Sequence, residues 1–241
     1  MDLNCDLGEG AGNDSLIIPL ISSANVSCGL HAGTESDIRE TVRLCLQHNV
    51  RVGAHPSFDD RINFGRVEMV LSDQSLYDLI GSQLEFLSGI CKDLGIPMIH
   101  VKPHGALYNM LARDSSMSAV TAACIRDFDP DLIVFGMSGS VFLSVASELG
   151  LAVKHEVFAD RTYRDDGSLT PRSMPYALIT DQRQMEEQVL EMIFKQVVTT
   201  TSGKKINLRS ETLCLHGDGP DAVQFVWAIR DLLLNNGIQI I

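Results

Sequence analysis

Short β-type runs alternate with amphipathic helical stretches along the whole chain, and this alternation restricts the fold more than any other feature of the sequence. The β-type runs fall at 2–6, 24–27, 50–54, 99–103, 132–136, 152–157 and 212–216. Between them, 36–47 places Ile38, Val42, Leu44 and Cys45 on one side, and 74–94 repeats Leu76, Leu79, Ile80, Leu84 and Leu87 at helical spacing. Further helical patterns cover 115–128, 140–149, 182–198 and 221–235. Ser72, Ser115 and Asp181 stand where N-caps belong, and Gly95, Gly150 and Gly237 lie just past helix ends. Strand–helix–strand repetition calls for parallel pairing with helices covering the sheet. No GxGxxG follows the first strand and no GxxxxGKS or GxxxxGKT occurs, which argues against dinucleotide-binding and P-loop folds. Polar residues recur at the ends of many strands rather than at one switch point. The expected fold is therefore α/β, a single parallel (β/α)7 barrel of TIM-like form, with 1–241 as one domain. A short extra strand is expected at 237–241.

Composition narrows the function. A chain of 241 residues suits one α/β domain with a large core, and 45% hydrophobic with 21% charged residues excludes a disordered chain. Apolar runs such as 131–136 are of strand length, so no membrane span is expected. A net charge of −12 without a basic stripe argues against nucleic acid, whereas a few placed cations can still hold a small anion in a cleft. Six cysteines at 5, 28, 45, 91, 124 and 214 form no Cys-x-x-Cys pair. With no export signal at the start, they read as reduced thiols of a cytoplasmic protein.

Asp6, His31, His55, His104, Asp160 and His216 each fall at or just beyond the C-terminal end of a predicted strand. That rim carries the active site of α/β barrels. In the first strand, alternation sends Asp2, Asn4 and Asp6 to one side. Polar groups there either line a wet cavity or bond to one another as an interior polar layer. His31 sits in a glycine-flanked turn before a helix that opens near Glu35, and His55 precedes Pro56. The loop after His55 carries Arg61 and Arg66, which read either as a clamp for a carboxylate or phosphate or as a surface loop with internal Asp–Arg pairs. His100, Lys102 and His104 share one strand face, and a lysine inside a barrel needs an anionic partner, expected from the first strand or from substrate. Asp160 and Arg161 precede a polar, turn-rich lid, and His216 and Asp218 occupy a glycine-punctuated turn.

Six segments in order resemble the LamB/YcsF family: DLNCDLGEG at 2–10, NVSCGLHAG at 25–33, GAHPSFDDRINFGR at 53–66, HVKPHGALYN at 100–109, EVFADRTYRDDGSLTPRS at 156–173 and CLHGDG at 214–219. Leu30, Thr34 and Asp59 depart from the family pattern without touching the rim residues. The resemblance implies a barrel related to the glycoside hydrolase and deacetylase barrels. It also implies ATP-driven opening of 5-oxoproline to glutamate together with two further subunits, B and C, with ATP bound here or on those partners. On that reading Asp6, with His55 or His104, activates water, and Lys102 stabilises negative charge, with His31, Asp160 and His216 completing the catalytic set. Asn4, Arg61, Arg66, Arg161 and Asp218 are expected to bind substrate. Two other readings stay open: a metal-dependent, deacetylase-like hydrolase using Asp6, His31 and His55 as ligands, and a non-catalytic small-molecule-binding barrel. Replacing Lys102 by Met is expected to leave stability little changed, provided its carboxylate partner can protonate or reach water.

Overall fold

The computed structural model describes residues 1–217, 219 and 221–241, so Asp218, expected at the substrate, lies outside the described residues. Strands β1 (Asp2–Leu7), β2 (Ser23–Ser27), β3 (Arg51–His55), β4 (Met98–Val101), β5 (Ile133–Met137) and β6 (Val153–Phe158) are followed by a hairpin, β7 (Val197–Thr199) with β8 (Lys205–Asn207), and by β9 (Thr212–His216). β1 to β6 pair in sequence order, all parallel, and β9 lies between β6 and β1 to close a seven-stranded barrel. The register puts Asp6 opposite Asn25 and His216, and Ser27 opposite His55, and Asp6, His55 and His216 all fall at or next to the C-terminal ends of their strands. The expected barrel is the observed one.

The helices are α1 (Asp14–Ile17), α2 (Glu35–His48), α3 (Asp73–Leu94), α4 (Gly105–Leu111), α5 (Ser115–Phe128), α6 (Val141–Glu148), α7 (Gln182–Lys195) and α8 (Ala222–Asn235). Their ends follow local chemistry. Ser72 and Asp181 accept from the amides of Ser75 and Gln184, and Thr34 forms a reciprocal capping box with Asp37. At α5 the cap is Asp114 rather than Ser115, because the Asp114 carboxylate accepts from the Met117 amide and Ser115 is already helical. The pattern read as helix over 182–198 stops at Lys195. Gln196 turns left-handed at φ 53°, and the β-branched Val197–Thr199 pairs with β8 instead. The 237–241 segment forms no strand; the Met1 ammonium donates to Gln239 O at 2.6 Å and the Ile241 amide donates to Met1 O at 3.1 Å. No helix among the described residues is long and apolar enough to cross a membrane.

Alternation divides the barrel strands into two environments. Leu3, Cys5, Leu7, Val26, Val52, Val101, Val157 and Leu213 join the apolar core with the covering helices, and all are buried. Many inward positions are polar. Asn4 Nδ2 donates to Thr212 Oγ1 at 2.7 Å, and Asn25 Nδ2 donates to Asn4 Oδ1 at 2.7 Å and Asp6 Oδ1 at 2.8 Å. His100 Nε2 donates to Asn25 Oδ1 at 2.8 Å, and its ring stacks on Phe135 at 4.2 Å between centroids. Gly53 on β3 gives that ring its space: a Cβ there would lie 2.2 Å from His100 Cδ2 and Nε2. Asp2 closes the far end with Ser22, Ser23 and Arg51. Asn4, expected at the substrate, is thus a bonded member of the interior layer.

Burial holds the His100 imidazole down at about 3, so the folded protein keeps it neutral. The unfolded chain protonates this group below about 6.5. Its contribution to stability is therefore complete above that pH and lost as pH falls toward about 3. Urea unfolding of His100→Gln between pH 6 and 4 is expected to show a slope of stability against pH shallower than wild type by about 1.4 kcal/mol per pH unit. Parallel slopes would show that the ring titrates normally in the fold.

Candidate active site

The C-terminal mouth of the barrel opens into a cleft of about 790 Å3, within the size range of small-molecule sites. Asp6, His55, Lys102, His104, Arg161 and His216 line it together with Arg66. Of the expected catalytic residues, His31 and Asp160 stand just behind this lining.

Lys102, just past the end of β4, reaches across the barrel interior. Its Nζ donates to Asp6 Oδ1 at 2.8 Å, stands 2.9 Å from Glu156 Oε1 in ion-pair contact, and lies 3.1 Å from Cys214 Sγ. Burial favours neutral lysine, but the Asp6 and Glu156 carboxylates outweigh it and raise the ammonium well above its ordinary value. Burial would likewise raise the Asp6 carboxyl, yet His55 and Lys102 hold it well below the usual carboxylate range. The Cys214 thiol is pushed up by burial and stays protonated. Glu156 Oε2 accepts from the Tyr108 hydroxyl at 2.7 Å. The first-strand partner of Lys102 is the expected one. Glu156 is the carboxylate that sequence reasoning missed; an acidic residue facing inward from a strand, two positions before its end, was the available signal.

Three imidazoles gather beside this ion cluster. His31 and His104 stack at 3.9 Å between centroids, and His104 Nδ1 lies 2.9 Å from His55 Nε2. Glu9, in the loop after β1, points Oε1 at them from 3.0 Å (His31 Nε2), 3.6 Å (His104 Nδ1) and 3.9 Å (His55 Nε2). Burial lowers both His31 and His104, the latter reinforced by His31 and His55. Of the ligand set expected for a metal, Asp6 with His31 and His55, Asp6 Oδ1 is bound by Lys102 and Asn25 while Oδ2 lies 3.3 Å from His55 Nε2, and Glu9 is the carboxylate grouped with the three rings. Glu9 falls in a glycine-rich loop whose return to the rings no local pattern reveals.

The remaining expected residues divide. Asp160 accepts from the His216 amide at 3.1 Å and from Nδ1 at 2.9 Å, fixing a ring that faces the cleft. Burial opposes ionisation of Asp160, but His216 outweighs it and lowers its carboxyl. Arg161 is buried and donates to Thr170 O at 2.6 Å and Ala177 O at 3.2 Å, so its guanidinium carries the lid loop. Arg61 lies outside the cleft lining; its Nη2 donates to Gly29 O and Gly33 O, both at 2.6 Å, tying its loop to the β2–α2 turn. Neither internal Asp pairing nor a clamp describes that contact. Arg66 does line the cleft and stacks over Phe64.

A parallel barrel with a lysine, carboxylates and histidines converging at the strand C-termini defines the class: a (β/α) barrel with an enzyme-type mouth. The LamB/YcsF family signature matches residues 1–241, and the chain belongs to that family. It is 46% identical over 245 residues to proteins named as the A subunit of 5-oxoprolinase from Bordetella parapertussis and Staphylococcus aureus, covering all of this chain and 97% and 98% of theirs. The crystal structure of a lactam utilization protein from Thermus thermophilus superposes with a TM-score of 0.92 at 41% identity, covering 100% of this chain and 98% of that one. A family 4 carbohydrate esterase from Streptomyces lividans shares the fold alone, at 10% identity and a TM-score of 0.53 over 100% of this chain and 90% of the esterase.

The position of Glu156 changes the expectation for Lys102. Glu156 is fully buried, and removing the ammonium leaves it and Asp6 as charges without their shared cation. Lys102→Met is expected to lower unfolding free energy at pH 7 by about 3–5 kcal/mol, the cost of breaking a buried ion pair from one side. Lys102→Met combined with Glu156→Gln should recover part of it in urea titrations. An unchanged midpoint in the single variant would mean that both carboxylates protonate or reach water.

Proposed function

We propose that this chain is the A subunit of an ATP-dependent 5-oxoprolinase, which opens the lactam of 5-oxoproline to L-glutamate together with subunits B and C in the cytoplasm. The observation that carries the reading is full-length identity of 46% to proteins of that name. The cleft chemistry supports it. Arg66, Arg161, Arg164 and Arg172 put positive charge at the mouth of a chain with net charge −12, as a small anion requires. Six free, buried cysteines agree with a reducing compartment.

A lactam resists hydrolysis because its amide is stabilised and its nitrogen leaves poorly. Phosphorylation of the amide oxygen by ATP makes the ring carbon electrophilic, and water then adds to it. Breaking the C–N bond of that adduct gives an acyl phosphate, and a second water releases glutamate and phosphate. Asp6, with His55 beside it at 3.3 Å from Oδ2, takes the proton of the attacking water. Lys102 stabilises the negative charge that develops on oxygen. His216, oriented by Asp160 through Nδ1, turns Nε2 away from that carboxylate and protonates the departing nitrogen. Arg66 holds the substrate carboxylate or the phosphoryl group. With no phosphate loop in this sequence, ATP is assigned to the partner subunits.

The test is reconstitution with subunits B and C, following 5-oxoproline-dependent ATP hydrolysis and glutamate release. The isolated chain is expected to be inactive or nearly so. Asp6→Asn should lower the turnover number of the assembled enzyme about a hundredfold or more while leaving assembly intact. Robust turnover by the chain alone, or none with both partners, would overturn the reading.

A further inference from the structure

The three rings beside Glu9 each commit one nitrogen to a fixed acceptor. His55 Nδ1 donates to Lys102 O at 2.7 Å, and His104 Nε2 donates to Phe64 O at 2.9 Å. A carbonyl only accepts, so both N–H positions are set. His31 Nδ1 lies 2.9 Å from Ser57 Oγ, whose own hydroxyl donates to Phe58 O at 2.9 Å, so that ring nitrogen also carries the hydrogen. In neutral imidazoles the other three nitrogens are bare, and they face one another and the Glu9 carboxylate. His55 Nε2 and His104 Nδ1 are 2.9 Å apart with two lone pairs opposed, Glu9 Oε1 adds an acceptor 3.9 Å and 3.6 Å from them, and Asp6 Oδ2 adds another 3.3 Å from His55 Nε2. Such an arrangement is repulsive unless a cation occupies its centre.

We propose that Glu9, His31 Nε2, His55 Nε2 and His104 Nδ1 bind one divalent transition-metal ion. The ligand atoms lie within 4.8 Å of one another, and the contacts of 2.9–3.9 Å among them bracket the roughly 3.3 Å separation of ligands around a tetrahedral ion with 2.0–2.1 Å bonds. Three imidazoles and a carboxylate suit zinc, iron, nickel or copper better than calcium, magnesium or manganese. Acceptors behind each ring, fixing the tautomer that frees the inward nitrogen, are the outer shell that metal-binding histidines carry. Phe64 adds an independent sign: it is held at φ 56°, a strained conformation for an aromatic residue, with its carbonyl on His104. Glu9 lines a smaller cleft with Phe64 and Arg66, and His55 and His104 line the main one, so an ion has a path to the centre. The site stands on these contacts whether or not the lactam reading holds.

The test uses the full chain, stripped with a chelator and titrated with Co2+ and then Zn2+. One equivalent per chain is expected, with visible cobalt bands displaced by zinc and a rise in melting temperature. X-ray absorption on the zinc-loaded wild type should count three imidazoles in the first shell. Glu9→Gln and His31→Asn should each weaken binding tenfold or more, and exposed His48→Gln should leave it unchanged. Absence of stoichiometric binding to the folded wild type, or undiminished binding by the Glu9→Gln/His31→Asn double variant, would overturn the proposal. A proton shared between His55 and His104, visible by nitrogen NMR in the wild type, would then be the occupant.

Discussion

Inside the barrel one ammonium group is shared between a carboxylate of β1 and a carboxylate of β6, and much of the mouth follows from it. Lys102 Nζ reaches Asp6 and Glu156 from β4, bridging strands that are not neighbours in the sheet. Charges so placed are tolerable only when they compensate one another, which fixes all three side chains at once. The same residue acts a second time through its backbone, since Lys102 O receives the His55 Nδ1 hydrogen. Ion cluster and imidazole cluster are thus set by the two ends of one residue.

The polar interior below them extends the same logic. Barrels of this class ordinarily fill their centres with branched apolar side chains. Here Asn4, Asn25, His100 and Thr212 form a bonded layer under Asp6. Each amide is oriented by the next, so the rim carboxylate rests on a fixed hydrogen-bonded stack, with Gly53 leaving room for the His100 ring. Specific polar pairing in a low-dielectric interior costs desolvation and in return defines a single arrangement.

The barrel and its rim were legible because hydrophobic period and strand-end polarity are local properties. Asp6, His55, Lys102, His104 and His216 needed only a strand boundary and the rule that catalytic groups sit at strand C-termini. What escaped depends on distant chain or on short patterns. The seven residues of α4, GALYNML, are too few to show a period, and Val197 and Val198 continue the apolar spacing of α7 although their branched side chains favour β7. Glu9 and Glu156 gain meaning only from partners 22 to 95 positions away, and no spacing rule joins them. Arg61 shows the converse: a guanidinium in a polar loop reads as a clamp for anions, but its acceptors are backbone carbonyls of another turn.

Arg161 gives the lid loop its shape, bonding to Thr170 O and Ala177 O on opposite arms of the segment that walls the cleft. A guanidinium used in this way behaves as a rivet. The ordering entropy of that loop is spent when the chain folds, so a ligand arriving later finds the wall already built. Entry into such a cleft releases water without freezing backbone. Its calorimetric signature is a heat-capacity change set by the surface the ligand itself covers, without the larger coupled-folding contribution of a loop that closes on its guest.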